Sequence, residues 1–159
     1  IKAREFVSKM YHNVKVMDPA ARASMTTFAE RGIGDVLLTW ENEAMISKKT
    51  LGDKFDIVYP SMSILTEPSV AIVDKTVEKN GNKWLATGYI NYLYSPLGQD
   101  MAARHFYRPR NPQILAKYSK QFPALKTFTI DEVFGGWAKA QQTHFVNGGM
   151  FDQIYSSKR

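Results

Sequence analysis

The stretch that decides the fold runs from residue 14 to residue 40 and reads VKVMDPAARASMTTFAERGIGDVLLTW. Its first four residues, 14–17, alternate between apolar and polar side chains, as a short strand does. Asp18 supplies an N-cap acceptor and Pro19 suits the first position of a helix, so a helix is predicted from about residue 19 to residue 31. A strand that leads directly into a helix is the first unit of an α/β pattern.

The second part of this stretch returns the chain as another strand. Gly32 and Gly34 end the predicted helix, because glycine is common just beyond a helix C-terminus. Residues 35–40 form a compact apolar run without helical spacing. Such a run is typical of a strand buried on both faces of a parallel sheet. The sequence therefore predicts an α/β fold.

The pattern continues outward on both sides of this stretch. A helix is predicted at the start of the chain, and the second half of the chain is mainly helical. The other predicted elements are a helix starting at residue 41, strands at 54–59 and 69–74, helices at 83–94, 96–104 and 112–120, a strand at 127–130, and two final helices after Gly135-Gly136 that are separated by Gly148-Gly149.

Composition excludes several classes of function. The 159 residues, 44% of them hydrophobic, suffice for one domain with a core or for part of a two-lobed protein. The absence of cysteine excludes disulfides, thiolate nucleophiles and Cys-ligated zinc. Most of the net charge of +6 lies beyond residue 100, where basic residues are interrupted by apolar helix positions. This scatter favours a solvated helical face, so we expect no binding to nucleic acid.

The chain also lacks the motifs of catalysis and metal binding. His12, His105 and His144 lie far apart without paired-histidine or carboxylate spacing, so neither a metal site nor a cofactor is expected. Glu41 and Glu43 stand two residues apart at a predicted helix start, where they suit the helix dipole better than acid–base chemistry. We therefore predict that the chain has no catalytic residue and is not an enzyme.

One group of residues suggests an anion site. The amide of Ala21 lies in the first turn of the predicted helix, where it has no carbonyl partner and the helix dipole is positive. Trp40 ends the following strand, at the sheet edge where parallel α/β folds bind ligands. Its indole N–H is a donor only, which favours a fully deprotonated anion such as sulfate over phosphate. The alternative is that Trp40 belongs to the sheet core and Asp18 is simply a cap.

Motifs along the whole chain carry a family resemblance. They are Val16-Met17-Asp18 with Ala21-Arg22, Glu30-Arg31-Gly32-Ile33-Gly34-Asp35, Trp40-Glu41-Asn42-Glu43-Ala44, Tyr92-Leu93-Tyr94-Ser95-Pro96, Tyr107-Arg108-Pro109-Arg110 and Phe128-Thr129-Ile130-Asp131-Glu132-Val133-Phe134-Gly135-Gly136-Trp137. In this order they resemble the later half of bacterial periplasmic sulfate-binding proteins, the solute receptors of ABC importers.

The resemblance implies a two-lobed type II periplasmic-binding-protein fold with a mixed, mostly parallel sheet. Its ligand would be dehydrated sulfate, or thiosulfate, held by neutral donors. The contacts implied for this chain are the amide of Ala21 and the indole N–H of Trp40, with Arg22 and Asp18 in support. Implied partners are an ABC permease and its ATPase in the inner membrane, and the implied location is the periplasm.

The resemblance also implies a division of the chain. Residues 1–62 would end the second ligand-binding lobe, 63–108 would cross back to the first lobe, and 109–159 would pack on the second lobe. The N-terminal half of the family's fold would be absent, so we expect the chain alone to bind sulfate weakly or to self-associate by exchanging elements. A related receptor for ferric iron or an organic anion, and an unrelated α/β enzyme domain, are the alternatives.

Overall fold

The computed structural model of the chain describes residues 2–156. These residues form short helices joined by extended segments, with one small sheet. The helices are α1 (Lys2–His12), α2 (Ala21–Met25), α3 (Glu41–Leu51), α4 (Asp74–Asn80), α5 (Lys83–Tyr94), α6 (Pro96–Arg104), α7 (Pro112–Lys117), α8 (Ile130–Phe134), α9 (Trp137–Ala140) and α10 (Met150–Ser156). Two π-helical turns, Thr26–Glu30 and Gln141–Phe145, continue α2 and α9, and the strands are β1 (Ser63–Ile64) and β2 (Thr127–Phe128).

The sheet joins two distant parts of the chain. Strand β1 runs parallel to β2, with Ser63 opposite Thr127 and Ile64 opposite Phe128. The amide of Leu65 adds a 2.8 Å hydrogen bond to the carbonyl of Phe128. The fold therefore mixes helices with a small parallel sheet, which agrees with the predicted α/β class at that level.

Four predicted strands are not strands in this structure. Segments 14–17, 35–40, 54–59 and 69–74 have no strand pairing, because no neighbouring segment supplies the backbone partners of a ladder. The prediction that 35–40 is buried on both faces is also wrong. Val36 and Leu38 are 80% and 73% exposed, while the intervening Leu37 is partly buried. Only one side of this extended segment is covered.

The helix predictions fare better where a local signal marks the end. Helices α5 and α6 have the predicted bounds, and Ser95 caps α6 by accepting a 3.1 Å hydrogen bond from the amide of Gly98. Helix α7 begins at Pro112 as predicted but ends at Lys117, three residues early. Helix α2 begins two residues late, because Ala20 has an extended backbone and acts as the N-cap in place of Asp18.

The buried core is small. Met45 of α3, Ala103 of α6 and Phe122 form its centre. Partly buried aromatic and aliphatic side chains from the segments between these three residues pack around them. This cluster fixes α3 against the helices of the second half of the chain. The N-terminus of α3, which holds part of the candidate site, is thereby anchored.

Much of the apolar surface remains exposed. The accessible surface is 12293 Å², whereas a compact monomer of 18.1 kDa would expose about 8,000 Å². Trp40, Trp84 and Trp137 are each more than half exposed. Within residues 2–156, no helix has both the length and the apolar character required to cross a membrane.

Candidate anion-binding site

The site is built on the N-termini of α2 and α3. Ala20 and Trp40 are the respective N-caps, and neither side chain caps its own helix. The amides of Ala21 and Arg22 have no acceptor among the described residues, since the first helical bond of α2 is made by Ser24. Two helix ends therefore present free N–H groups and the positive end of a helix dipole, which is the chemistry that binds anions.

An ion pair ties these two helix ends together. Arg22, the second residue of α2, places Nε 2.7 Å from Oε2 of Glu43 and donates from Nη2 to Oε1 at 3.0 Å. Glu43 lies in the first turn of α3 and is buried, with 8% of its surface exposed. The two-point contact orients α2 relative to α3. Arg22 directly follows Ala21, and α3 begins directly after Trp40. The ion pair therefore links the chain segments of these two residues.

A second ion pair fixes the start of α3 to the C-terminal part of the chain. Arg108 donates from Nε and Nη2 to the two carboxylate oxygens of Glu41, at 2.9 and 2.6 Å. The same guanidinium donates to the carbonyl of Pro123 at 3.1 Å and lies over the ring of Phe122. Because Arg108 is only 20% exposed, the prediction of a solvated basic face fails at this residue.

These ion pairs set the electrostatics of the site. Glu41 and Glu43 would repel an anion at the α3 N-terminus, but each carboxylate is paired with an arginine. Burial raises the pKa of Tyr59, and the neighbouring Glu41 carboxylate raises it further, so the phenol stays neutral near pH 7. The free donors at the helix ends are consequently uncharged groups, the amides and the indole N–H.

Asp18 supports the loop before α2 without capping the helix. Its carboxylate accepts a 3.2 Å hydrogen bond from the hydroxyl of Thr27, which is buried. This bond holds the loop against the later turns of the helix. The expectation that Asp18 caps the helix N-terminus is therefore wrong, whereas its contact with Thr27 gives it a structural role beside Ala21.

Trp40 is accessible to a ligand at the surface of the protein. It is 53% exposed, and its indole N–H has no partner among the described residues. Two open surface pockets, of about 440 and 250 Å³, lie beside α1 and beside the C-terminal end of α3. Neither is lined by Ala21 or Trp40. The partly buried Ala21 and the half-exposed Trp40 thus belong to two helix ends that the Arg22–Glu43 ion pair ties together.

Sequence reasoning missed the partners that hold the site. Glu41 and Arg108 are 67 residues apart, and their pairing has no signal in local periodicity. Arg22 and Glu43 were both singled out, but not as a pair. Among residues 2–156, no group of three histidine, cysteine, aspartate or glutamate side chains is arranged to hold a metal ion.

Comparison with known proteins decides the family. A family model for bacterial extracellular solute-binding proteins matches residues 1–108. The chain belongs to this family. Over 159 residues it is 60% identical to a sulfate-binding protein of Salmonella typhimurium, an alignment that covers 99% of this chain and 48% of that protein.

Other members of the family extend the comparison. A thiosulfate-binding protein of Pseudomonas aeruginosa is 51% identical over 98% of this chain and 47% of its own length. A sulfate-binding protein of Synechocystis is 35% identical over 96% of this chain and 44% of its own length. The chain therefore spans about half the length of the curated relatives it matches. The family resemblance is confirmed, and because these proteins are solute receptors, so is the prediction that the chain is not an enzyme.

Proposed function

We propose that this chain is part of a receptor that binds sulfate or thiosulfate and delivers it to an ABC permease and its ATPase, in the periplasm. The complete receptor would have the two-lobed type II fold. Residues 1–62 would complete the second lobe, 63–108 would cross to the first, and 109–159 would pack back on the second. The names of the relatives support this ligand class.

The ligand contacts proposed in this chain are the amide of Ala21 and the indole N–H of Trp40. The observation that carries them is the tie between α2 and α3, which joins two uncapped helix ends through Arg22 and Glu43. A site made of such neutral donors suits sulfate, which is all acceptor at neutral pH. Phosphate keeps a proton near pH 7 and would place it against another donor, at a cost of about 1–3 kcal/mol.

The test uses a chimeric receptor in which this chain replaces the matching region of the Salmonella typhimurium protein. Calorimetric titration at pH 7 should give sulfate or thiosulfate binding that phosphate hardly displaces. Trp40→Phe should weaken sulfate binding about 5- to 150-fold, since loss of a donor to a charged ligand costs about 1–3 kcal/mol.

The matched control is Trp137→Phe. Trp137 is 66% exposed on α9, outside the two tied helix ends, and its replacement should leave the sulfate affinity unchanged. Equal affinity for phosphate and sulfate would refute the neutral-donor site. An unchanged affinity in Trp40→Phe would remove Trp40 from the contacts.

A further inference from the structure

Two extended segments carry backbone groups with no partner. Residues 35–39 and 54–61 make no backbone hydrogen bond to any described residue. Their N–H and C=O groups are unpaired along two stretches that overlap strands assigned by the sequence pattern. Unpaired groups in an extended backbone form a template on which another strand can pair.

The side chains of both segments already alternate as in a sheet. In 54–59, Phe55, Ile57 and Tyr59 are partly buried, and Val58 between them is 86% exposed. In 35–40, the outward-facing Val36 and Leu38 repeat this pattern. Each segment therefore has one partly covered face and one face open to solvent, which is apolar in 35–40 but carries Lys54 and Asp56 beside Val58 in 54–59.

Helix α5 offers a second uncovered surface. It has no buried residue, although most of its side chains are apolar and Trp84, Leu85 and Tyr89 are 72%, 52% and 64% exposed. Several large apolar side chains exposed on one helix indicate a contact surface. At 12 residues it is too short to cross a membrane.

The exposed area indicates what kind of partner fits. The 12293 Å² surface exceeds that of a compact chain of this mass by about 4,000 Å². A standard stable protein–protein complex buries about 800 Å² on each partner, so the excess is several times larger than one such interface covers. The relatives contain a further stretch, about as long as this chain, outside the matched region.

We infer that segments 35–40 and 54–59 form a docking surface for strand addition, and that its occupant is the remaining part of the same receptor. This inference rests on the proposed function for the identity of the receptor. It adds that the two parts need no peptide bond between them, because the recognition lies in backbone pairing and apolar contact. The remaining part, supplied as a separate polypeptide, would complete the sheet.

The experiment mixes this chain with the unmatched remainder of the Salmonella typhimurium sulfate-binding protein, produced as a second polypeptide. Light scattering on a sizing column should give a one-to-one complex. The strand signal in circular dichroism should exceed the sum of the two separate polypeptides. Absence of a complex would overturn the inference, as would a dimer of this chain that persists in the presence of the second polypeptide.

Variants locate the docking surface. Val36→Lys and Leu38→Lys change side chains that are 80% and 73% exposed, so the chain alone should keep its circular dichroism spectrum and melting temperature. Each should weaken the complex at least tenfold, because a lysine would have to be buried on docking. Val133→Lys on α8, which is 57% exposed and outside both segments, is the matched control and should leave complex formation unchanged. Full affinity in both segment variants would overturn the assignment.

Sulfate titration of the complex separates this inference from the proposed function. A complex that forms but binds neither sulfate nor thiosulfate would leave the docking surface standing and refute the ligand. If the chimeric receptor binds sulfate but the two separate polypeptides form no complex, the proposed ligand stands and the docking surface is refuted.

Discussion

At the scale of single residues, charge pairing organises this chain more than its net charge does. Glu41 and Glu43 were expected to serve the helix dipole, and they do lie in the first turn of α3. Each is also held by an arginine from another element. The residue types and their helix position could be read from the sequence. Their partners could not, because the pairing depends on how distant segments pack.

Asp100 provides a second example, away from the candidate site. Its buried carboxylate accepts hydrogen bonds from Lys117 at 2.6 Å, Tyr118 at 3.0 Å and Arg104 at 2.8 Å. Lys117 makes the largest contribution to lowering the pKa of Asp100, with Tyr118 and Arg104 adding to it. The cluster joins α6 to α7.

We predict that Asp100→Asn lowers the free energy of unfolding at pH 7 and that this difference shrinks in acid. Because the pKa of Asp100 is lower in the folded chain, its stabilisation is fully present above the unfolded pKa of about 4 and is lost as the pH falls through the folded pKa. Urea unfolding between pH 2 and pH 7 measures the difference. Glu78→Gln, at an exposed carboxylate on α4, should have little effect at any pH. A constant loss in Asp100→Asn across this range would contradict the prediction.

At the scale of elements, local sequence signals predicted the positions of helices well and those of strands poorly. The bounds of α5 and α6 follow from Ser95 and Pro96, a cap and a first-turn proline whose effect depends only on neighbouring residues. A strand depends on a partner. The apolar run at 35–40 is extended, but nothing in this chain pairs with it, so the predicted sheet was larger than the observed one.

The corner between α5 and α6 depends on a glycine. A Cβ at Gly98 would lie far inside van der Waals contact distance of the Tyr92 carbonyl oxygen and 3.2 Å from the Cα of Leu93. Backbone atoms cannot move aside as a flexible side chain can. We predict that Gly98→Ala lowers the free energy of unfolding by about 1–3 kcal/mol, the range for overpacking.

Gly88, in the middle of α5, is the matched control. A Cβ there would meet nothing within 4 Å, so Gly88→Ala should raise the free energy of unfolding by about 0.4–1 kcal/mol through a smaller unfolded-state entropy. Urea unfolding followed by circular dichroism measures both variants. Equal effects from the two substitutions would show that the corner is not closely packed.

At the scale of the whole molecule, the sequence predicted the fold class and the family but not the extent of burial. The family motifs run along the whole chain and were confirmed by the 60% identity over 159 residues. The start of a helix at residue 41 was also predicted, whereas the helix predicted from about residue 19 begins at Ala21. Burial could not be foreseen, because apolar periodicity shows which faces need covering and not whether this chain covers them.

We predict that the chain unfolds with a low urea m-value per residue. The m-value scales with the surface exposed on unfolding, and the folded chain already exposes 12293 Å². The chimeric receptor, in which the proposed remainder is present, should have a higher m-value per residue in the same buffer. Equal values would mean that the folded chain is more compact in solution.

The unpaired segment at 35–40 also affects the handling of the chain. It reads DVLLTW, has a single charge at its first position and contains no proline. An exposed segment with this composition can stack on copies of itself into cross-β fibrils. A cell producing this polypeptide alone would have to shield the segment with a chaperone or lose the product to proteases and insoluble deposits.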